Sequence, residues 1–258
     1  MKTRINAAEM SNIDPKRGII VSFPRNGLNW VRYCIEYFSG LPTAGRRKIH
    51  PQSSGELAVY RTHNVTFPGP ADSCYCSFYD QAGKPLHSKV VLLVRDYHES
   101  YVRAARKKQE TVPTAEEIRK GKIFNFKNYF ENLKAYDEFS GRKMLVYYED
   151  LINDFSEMTK ILDFLGFAYD LADFDLEHHR HTSLELYDTQ HKSYTKDNLY
   201  NFTFHQEQVD PEVNRALDEF VDTNYRDVAD RYLRRSTPGA QRGRPRHSAD
   251  GRGRVSGR

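Results

Sequence analysis

The fold of this chain is decided by residues 19–30, which read Ile19-Ile20-Val21-Ser22-Phe23-Pro24-Arg25-Asn26-Gly27-Leu28-Asn29-Trp30. The apolar start predicts a buried parallel strand, and Pro24 and Gly27 predict a tight turn after it. Apolar residues then recur at helical spacing as far as Phe38, and Gly40 supplies a helix stop. A turn of this kind aims several backbone N–H groups and the positive end of a helix dipole at one point, and Arg25 adds a charge there. We therefore predict an anion site, most plausibly for a phosphate group.

Helical segments alternate with four predicted strands, at Gly18–Phe23, Glu56–Thr62, Lys89–Arg95 and Lys143–Tyr148. The third strand is apolar on both faces, as in a parallel strand covered by helices. The alternation predicts an α/β fold, a single domain with a central parallel β-sheet flanked by helices. Ligands of such sheets bind at the carboxyl ends of the strands.

Three polar residues fall at or just past the carboxyl end of a predicted strand: Arg25, His63 and Arg95. Carboxyl ends of parallel strands meet at one edge of the sheet, so side chains placed there can converge on one ligand. A random scatter of surface charges would not have this placement. We therefore expect these three residues to share one site.

Capping signals and an apolar face predict further helices and where they begin. Thr114–Glu117 and Asp154–Glu157 have the spacing of capping boxes, and Phe124–Phe139 has an apolar helical face. Asp210 followed by Pro211 predicts the start of a long final helix that ends near residue 233.

The domain is predicted to span residues 18–235, after an N-terminal extension at 1–17 and before a disordered Arg/Gly-rich tail at 236–258. The whole chain has a formal charge of +4, and the tail contributes +5 from six Arg and one Asp, so the rest is near −1. The tail has almost no apolar residues to bury. It could contact RNA, an acidic lipid surface or no partner, and we expect no specific nucleic-acid partner.

Membrane spans, a signal peptide and a disulfide framework are not predicted, so we expect a cytoplasmic protein. The tract His178–His181 could suggest a metal, but its spacing does not match a ligand pattern, and Cys34, Cys74 and Cys76 lack the spacing of a zinc site. We expect His178–His181 to be a loop without a metal.

The nucleotide motifs Gly-x4-Gly-Lys-Ser/Thr and Gly-x-Gly-x-x-Gly are absent, which disfavours ordinary NTP or dinucleotide binding. The order Phe-Pro-Arg-Asn-Gly-Leu-Asn-Trp instead resembles the P-loop-like phosphosulfate loop of sulfotransferases that use 3′-phosphoadenosine 5′-phosphosulfate (PAPS). That family reads aromatic-Pro-Lys/Arg-Ser-Gly-Thr-Thr-Trp here. The chain departs from it at Asn26, Leu28 and Asn29. Leu28 has no hydroxyl to donate to a phosphate, whereas the Asn29 amide can still donate.

The other family segments follow in the expected order. Thr62-His63 resembles a Lys-Thr-His segment, which implies that His63 is the general base; His also suits this task because it titrates near neutrality. Arg95, Glu99 and Arg103 fall on the family's 3′-phosphate pattern Arg-x-Pro-x-Asp-x-x-x-Ser, with Arg103 in place of the Ser. Either Arg103 or Ser100 would then be the partner of Arg95 at the 3′-phosphate.

The strand that ends in Tyr148-Glu149-Asp150 resembles the family's Tyr-Glu-Asp, which implies that Tyr148 contacts the adenine. The family's closing Arg-Lys-Gly loop is not recognisable, and Lys192 and Lys196 are the nearest substitutes. The resemblance implies PAPS as co-substrate, no metal, and a small-molecule or carbohydrate acceptor. It places the nucleotide contacts at Arg25, Asn26, Gly27, Leu28, Asn29, Trp30, Arg95, Ser100, Arg103 and Tyr148.

Alternative interpretations remain for each motif. The loop could be a strand–turn–helix junction without a ligand, and His63 a polar residue satisfied by the backbone. Arg95 and Glu99 could form a surface ion pair, and Tyr148 could be a core aromatic. For the whole protein, the alternatives are a sulfotransferase-like protein that binds 3′-phosphoadenosine 5′-phosphate (PAP) without catalysis, and a divergent phosphotransferase or kinase.

Overall fold

Four parallel strands form the centre of the protein in the computed structural model. They are β1 (Ile19–Ser22), β2 (Tyr60–Thr62), β3 (Lys89–Val94) and β4 (Arg142–Tyr147), in the order β2-β1-β3-β4. Ile19 of β1 is in register with Tyr60 on one side and with Val90 on the other, and all pairings are parallel. The predicted fold class, a parallel α/β sheet flanked by helices, is confirmed.

The structure describes residues 16–45, 49–66, 77–79, 83–107, 112–123, 125–190 and 209–234. Nine helices lie within these ranges. They are α1 (Leu28–Ser39), α2 (Tyr97–Lys107), α3 (Ala115–Arg119), α4 (Lys127–Glu138), α5 (Tyr148–Asn153), α6 (Ser156–Leu165), α7 (Leu176–Gln190), α8 (Pro211–Asn224) and α9 (Arg226–Tyr232). Among the described residues, no helix is both long and apolar enough to cross a membrane.

Side chains alternate between the two faces of each strand, and helices pack on both faces of the sheet and bury them. On β3, Val90, Leu92 and Val94 face a core that includes α4 and α8, whereas Val91 and Leu93 face a core built with α1 and α6. A strand covered on both sides needs apolar residues at every position, which explains the unbroken apolar run of β3.

Several helix ends follow the predicted signals. Thr114 and Glu117 form a capping box with both hydrogen bonds present, and the Asp210 side chain accepts from the Glu212 N–H in front of α8. Gly40 ends α1 in the left-handed conformation, at φ 68°. These short-range signals act within one turn of chain, so they operate independently of the tertiary structure.

Two predictions of local structure were wrong. The Asp154 side chain accepts from Ser156 instead of forming a capping box with Glu157. Strand β2 covers only the last three residues of the predicted Glu56–Thr62, because Ala58 and Val59 bond instead to the chain that follows α1.

The predicted long final helix is two helices, α8 and α9, separated at Tyr225. The backbone of Tyr225 leaves the helical region at φ −144°, and its ring stacks on Phe130 of α4 with centroids 4.7 Å apart. Its hydroxyl also donates to Glu131 at 3.1 Å. The break therefore coincides with contacts between Tyr225 and α4, a helix distant in sequence. The apolar periodicity of the segment alone could not indicate it.

Candidate active site

The carboxyl ends of the four strands carry the four predicted site segments in spatial order. His63 follows β2, the loop with Arg25 follows β1, Arg95 follows β3 and Tyr148 follows β4. Neighbouring strands are about 4.8 Å apart, so the ends of β2 and β3 are separated by about 10 Å. The chain moves from β1 to β2 on one side and returns to β3 on the other, which makes the β1/β3 boundary a topological switch point, where ligands bind.

The loop after β1 has the backbone geometry of an anion site. Arg25 and Gly27 both adopt positive φ angles, 79° and 85°. The N–H groups of Gly27, Leu28 and Asn29 donate to no group within the part of the chain that the structure describes, whereas the Trp30 N–H returns to the Gly27 carbonyl at 3.0 Å. The first N–H groups of a helix need an acceptor from outside it, and an anion satisfies them best.

Arg25 is held in a strained conformation. A residue with a side chain rarely adopts φ 79°, and the cost is of order 1–2 kcal/mol. Strain of this kind concentrates at sites whose geometry the surrounding structure imposes. The Arg25 carbonyl accepts a hydrogen bond from Arg95 Nη1 at 3.2 Å, which fixes the loop to the end of β3.

Asn26 and Ser100 form a buried hydrogen bond with each other. The Asn26 amide donates to the Leu93 carbonyl at 3.3 Å and accepts from the Ser100 hydroxyl at 2.8 Å. Asn26 is 1% exposed and Ser100 is fully buried. A role for Ser100 at a 3′-phosphate would require this hydrogen bond to break. The pair holds the loop against β3 and α2.

The side chains of Leu28, Asn29 and Trp30 differ in whether they can donate a hydrogen bond to a ligand at the loop. Leu28 and Trp30 are buried in the core, where the Trp30 ring stacks on Tyr33 with centroids 5.8 Å apart. Asn29 is half-buried, and its amide makes no hydrogen bond with any residue in the described ranges. At this helix start, Asn29 can therefore offer both a side-chain and a backbone donor, whereas Leu28 offers only its N–H.

His63 is oriented by the end of β1. Its Nδ1 lies 2.8 Å from the carbonyl oxygen of Ser22 and 3.4 Å from the Ser22 hydroxyl. A carbonyl oxygen only accepts, so Nδ1 carries the hydrogen and Nε2 has the lone pair in the neutral ring. The backbone contact engages only Nδ1, so it is compatible with a proton-accepting role for Nε2.

Arg95, just after β3, forms a buried charge cluster with Glu99 and Arg103 on one face of α2. Arg95 donates to both carboxylate oxygens of Glu99, at 3.0 and 2.6 Å. Arg103 donates to the same carboxylate at 2.8 Å. All three side chains are at least 96% buried, so the interpretation of Arg95 and Glu99 as a surface ion pair is wrong.

Within the cluster two guanidinium groups share one carboxylate, and the nearby Glu149 carboxylate also interacts with Arg95. Burial lowers the pKa of Arg103, and the charge of Arg95 lowers that pKa further. Buried like charges are costly, so an anion placed beside the cluster would be strongly favoured. The cluster therefore suits a phosphate group that approaches the end of β3.

Tyr148 lies between this cluster and the loop. The Arg95 guanidinium stacks over its ring, 4.2 Å from the centroid, and burial raises the pKa of its hydroxyl. A Cβ atom added to Gly27 would lie 2.3 Å from the ring, so the ring packs directly on the glycine. Gly27 is therefore required both by its positive φ and by this contact.

We expect Gly27→Ala to destabilise the protein by about 1–2 kcal/mol for the left-handed backbone and by about 1–3 kcal/mol more for the clash with Tyr148. Gly121→Ala is the matched control, because Gly121 has a similar φ of 90° and nothing within 4 Å of an added Cβ. Urea unfolding of both variants measures the difference. Equal losses of stability would contradict close packing of Tyr148 on the loop.

Sequence reasoning missed two residues of α4 that contact the site. Tyr129 donates from its hydroxyl to the Arg95 carbonyl at 2.5 Å. Asn132 donates to the His63 carbonyl at 3.0 Å and accepts from the Val65 N–H at 3.1 Å. The one available signal was an Asn within the apolar face of a predicted helix.

The histidine tract was expected to be a loop, which is wrong, since His178–His181 lies within α7. His179 is nearly buried, and its Nδ1 lies 2.7 Å from the Tyr33 hydroxyl. Across the described ranges, no group of three or more His, Cys, Asp or Glu side chains is arranged to hold a metal ion. Lys192 and Lys196 lie outside the described residues.

Of the three comparisons with known proteins, only the one with solved structures finds a match. No family model matches the chain, and no curated protein sequence matches it. Among solved structures, the chain is similar to a mouse sulfotransferase, SULT7A1, in complex with PAP, with a TM-score of 0.49 and 16% identity over 88% of this chain and 92% of that one. Similarity at this level is too low to transfer a ligand or an activity.

Proposed function

We propose that this protein transfers a sulfuryl group from PAPS to a hydroxyl, or less readily an amine, of a small-molecule or carbohydrate acceptor. The observation that carries the proposal is the order of groups along one sheet edge. His63, a loop whose N–H groups donate to no group in the described ranges, and the Arg95–Glu99–Arg103 cluster follow the adjacent ends of β2, β1 and β3. This arrangement matches a donor with two separate phosphate groups and an acceptor beside it.

The residues present fit such a nucleotide. The N–H groups of Gly27, Leu28 and Asn29 would hold the 5′-phosphate. Arg95 and Arg103 would hold the 3′-phosphate, since a guanidinium fork suits phosphate oxygens.

The remaining predicted contacts fit less directly. Tyr148 is packed on Gly27 and under Arg95 and is only 4% exposed, so it would meet the adenine only at the small part of its surface that is exposed. Asn26 holds the loop through its side chain, and the ring of Trp30 is stacked on Tyr33, so both would contribute mainly by shaping the loop.

PAPS, when bound, supplies an activated sulfuryl group. His63 would take the proton of the acceptor hydroxyl at Nε2 while the acceptor oxygen bonds to sulfur and the bridging S–O bond breaks. Arg25 would stabilise the negative charge that grows on the bridging oxygen. Positioning and electrostatics then account for the rate, as in phosphoryl transfer, without a covalent intermediate on the protein.

Thermal unfolding with added nucleotides tests the proposal. PAP at a hundred times its Kd should stabilise the protein by about 2.7 kcal/mol, which is seen as a raised midpoint, with or without Mg²⁺. ATP without a 3′-phosphate should bind less tightly, because it leaves Arg95 and Arg103 without a phosphate to bind. A preference for ATP with Mg²⁺ would contradict the proposal and favour a phosphotransferase.

Turnover of PAPS with a panel of phenols, alcohols and sugars then separates an enzyme from a binding protein. We expect sulfated product and PAP in equal amounts for at least one acceptor class. Tight PAP binding without product from any acceptor would favour a sulfotransferase-like protein that binds nucleotide without catalysis.

A further inference from the structure

Helix α4 contacts the carboxyl ends of the three strands that carry the site. At the end of β1, Phe23 packs edge-on against Phe126 and Tyr129, with centroids 5.9 and 5.5 Å apart. At the end of β3, the Tyr129 hydroxyl donates to the Arg95 carbonyl, and at the end of β2, Asn132 bonds to the chain around His63. Residues 126, 129 and 132 are spaced by three, so they lie along one face of the helix.

Asn132 uses both ends of its amide on the turn after β2. Its Nδ2 donates to the His63 carbonyl at 3.0 Å, and its Oδ1 accepts from the Val65 N–H at 3.1 Å. Asn132 is 1% exposed, so water cannot replace these contacts easily. A buried amide with both groups satisfied holds the backbone in one conformation.

The His63 side chain is held from the opposite side. Its Nδ1–H donates to the Ser22 carbonyl, so β1 fixes the ring while Asn132 fixes the backbone to which the ring is attached. These two hydrogen bonds, from β1 and from α4, determine where His63 Nε2 lies. Loss of the Asn132 contact would therefore shift Nε2 while leaving the imidazole ring in the protein.

We infer that Asn132 is a positioning residue for His63, and that Tyr129 has the same role for Arg95. Helix α4 would thus set the distance between the proton acceptor and the arginine of the nucleotide site. The inference rests on the proposed function in taking His63 as the general base and Arg95 as a nucleotide contact. A displacement of about 1 Å at a reacting group can cost about a hundredfold in rate.

Two variants on the same helix test the inference. Asn132→Leu keeps the approximate volume and loses the amide, and Tyr129→Phe loses only the hydroxyl. We expect Asn132→Leu to lower kcat between about tenfold and a hundredfold with the Kd for PAP changed less than about twofold. Tyr129→Phe should weaken PAP binding several-fold and leave the ring nitrogen resonances of His63 unchanged.

The ring nitrogen resonances of His63, assigned by comparison with His63→Asn, provide a readout that does not depend on turnover. In the wild-type protein they should report a hydrogen at Nδ1, and Asn132→Leu should mix the two tautomers or broaden the signals. If the wild-type protein transfers no sulfuryl group, these resonances still decide whether Asn132 orders His63. The failure of the proposed function is thereby distinguished from the failure of this inference.

Three results would overturn the inference. The first is Asn132→Leu with wild-type kcat and unchanged His63 resonances. The second is an equal loss of kcat and PAP affinity in both variants, which would make α4 a general support. The third is failure to fold in both Asn132→Leu and Asn132→Asp, which retains the acceptor for the Val65 N–H, because Asn132 would then be a stability residue.

Discussion

We expect His63→Asn to lower the proposed turnover by about a hundredfold to ten-thousandfold and to leave PAP binding unchanged, because the variant would lose its proton acceptor and little else. The amide nitrogen of Asn occupies nearly the same place as Nδ1 of His, so the hydrogen bond to the Ser22 carbonyl is retained. The Nε2 atom has no counterpart in Asn. Initial rates with saturating PAPS and calorimetric titration with PAP measure the two quantities.

The pH profile provides a second check on His63. The wild-type rate should fall on the acid side as the ring becomes protonated, and the residual rate of His63→Asn should lack that limb. His63→Ala serves as the comparison that also loses the Ser22 contact. Wild-type turnover in both variants would remove His63 from the chemistry, and loss of folding in both would make it a structural residue.

We expect Arg25→Ala to lower the proposed turnover by at least about a hundredfold, which is the scale for losing one charge-stabilising donor at a reacting centre. Arg25 lies in the loop that presents the N–H groups of Gly27, Leu28 and Asn29, so the charge it carries adds to theirs. Arg25→Lys should recover part of the rate, because the charge is kept and the planar fork is lost.

The positive φ of Arg25 allows charge and strain to be separated. Arg25→Gly removes the charge and also relieves the left-handed backbone, so we expect it to be at least as stable as Arg25→Ala. Both variants should lose turnover to a similar extent if the charge is what matters. Recovery of wild-type turnover in Arg25→Gly would show that the loop conformation, and not the guanidinium, supports the activity.

Two measurements of different kinds thus bear on one site. His63 and Arg25 follow neighbouring strands, and their proposed roles involve opposite ends of the reaction, namely proton removal and charge stabilisation on the leaving group. Loss of rate with retained PAP binding in both variants would support an enzyme. Retained rate in both would favour a protein that uses this sheet edge for binding alone.

The parallel sheet could be predicted because its signals are short-range. The apolar run of β3 requires cover on both faces, and the helical segments that follow β1 and β3 favour parallel connections. Once the sheet is parallel, the ends of β1, β2 and β3 must share one edge. The common location of Arg25, His63 and Arg95 therefore follows from the sequence, and the structure confirms that their three strands are adjacent.

Side-chain partners across that edge could not be predicted. The hydrogen bond between Asn26 and Ser100 joins residues 74 positions apart, and those of Asn132 reach back 67 and 69 positions. The break at Tyr225 likewise depends on a stacking partner in α4. Each of these features is a contact between elements, and local propensity carries no signal for such a contact.

The sequence by itself determined which polar group follows each strand. These are a cationic turn after β1, a histidine after β2 and an arginine after β3. Tertiary structure alone decided three contacts. Arg95 and Arg103 both donate to the buried Glu99 carboxylate, Ser100 donates to Asn26, and Asn132 of α4 donates to the His63 carbonyl. The physical reason is range. Backbone periodicity and turn chemistry act over a few residues, whereas the partner of a buried polar group is whichever group the packing of distant elements brings within about 3 Å.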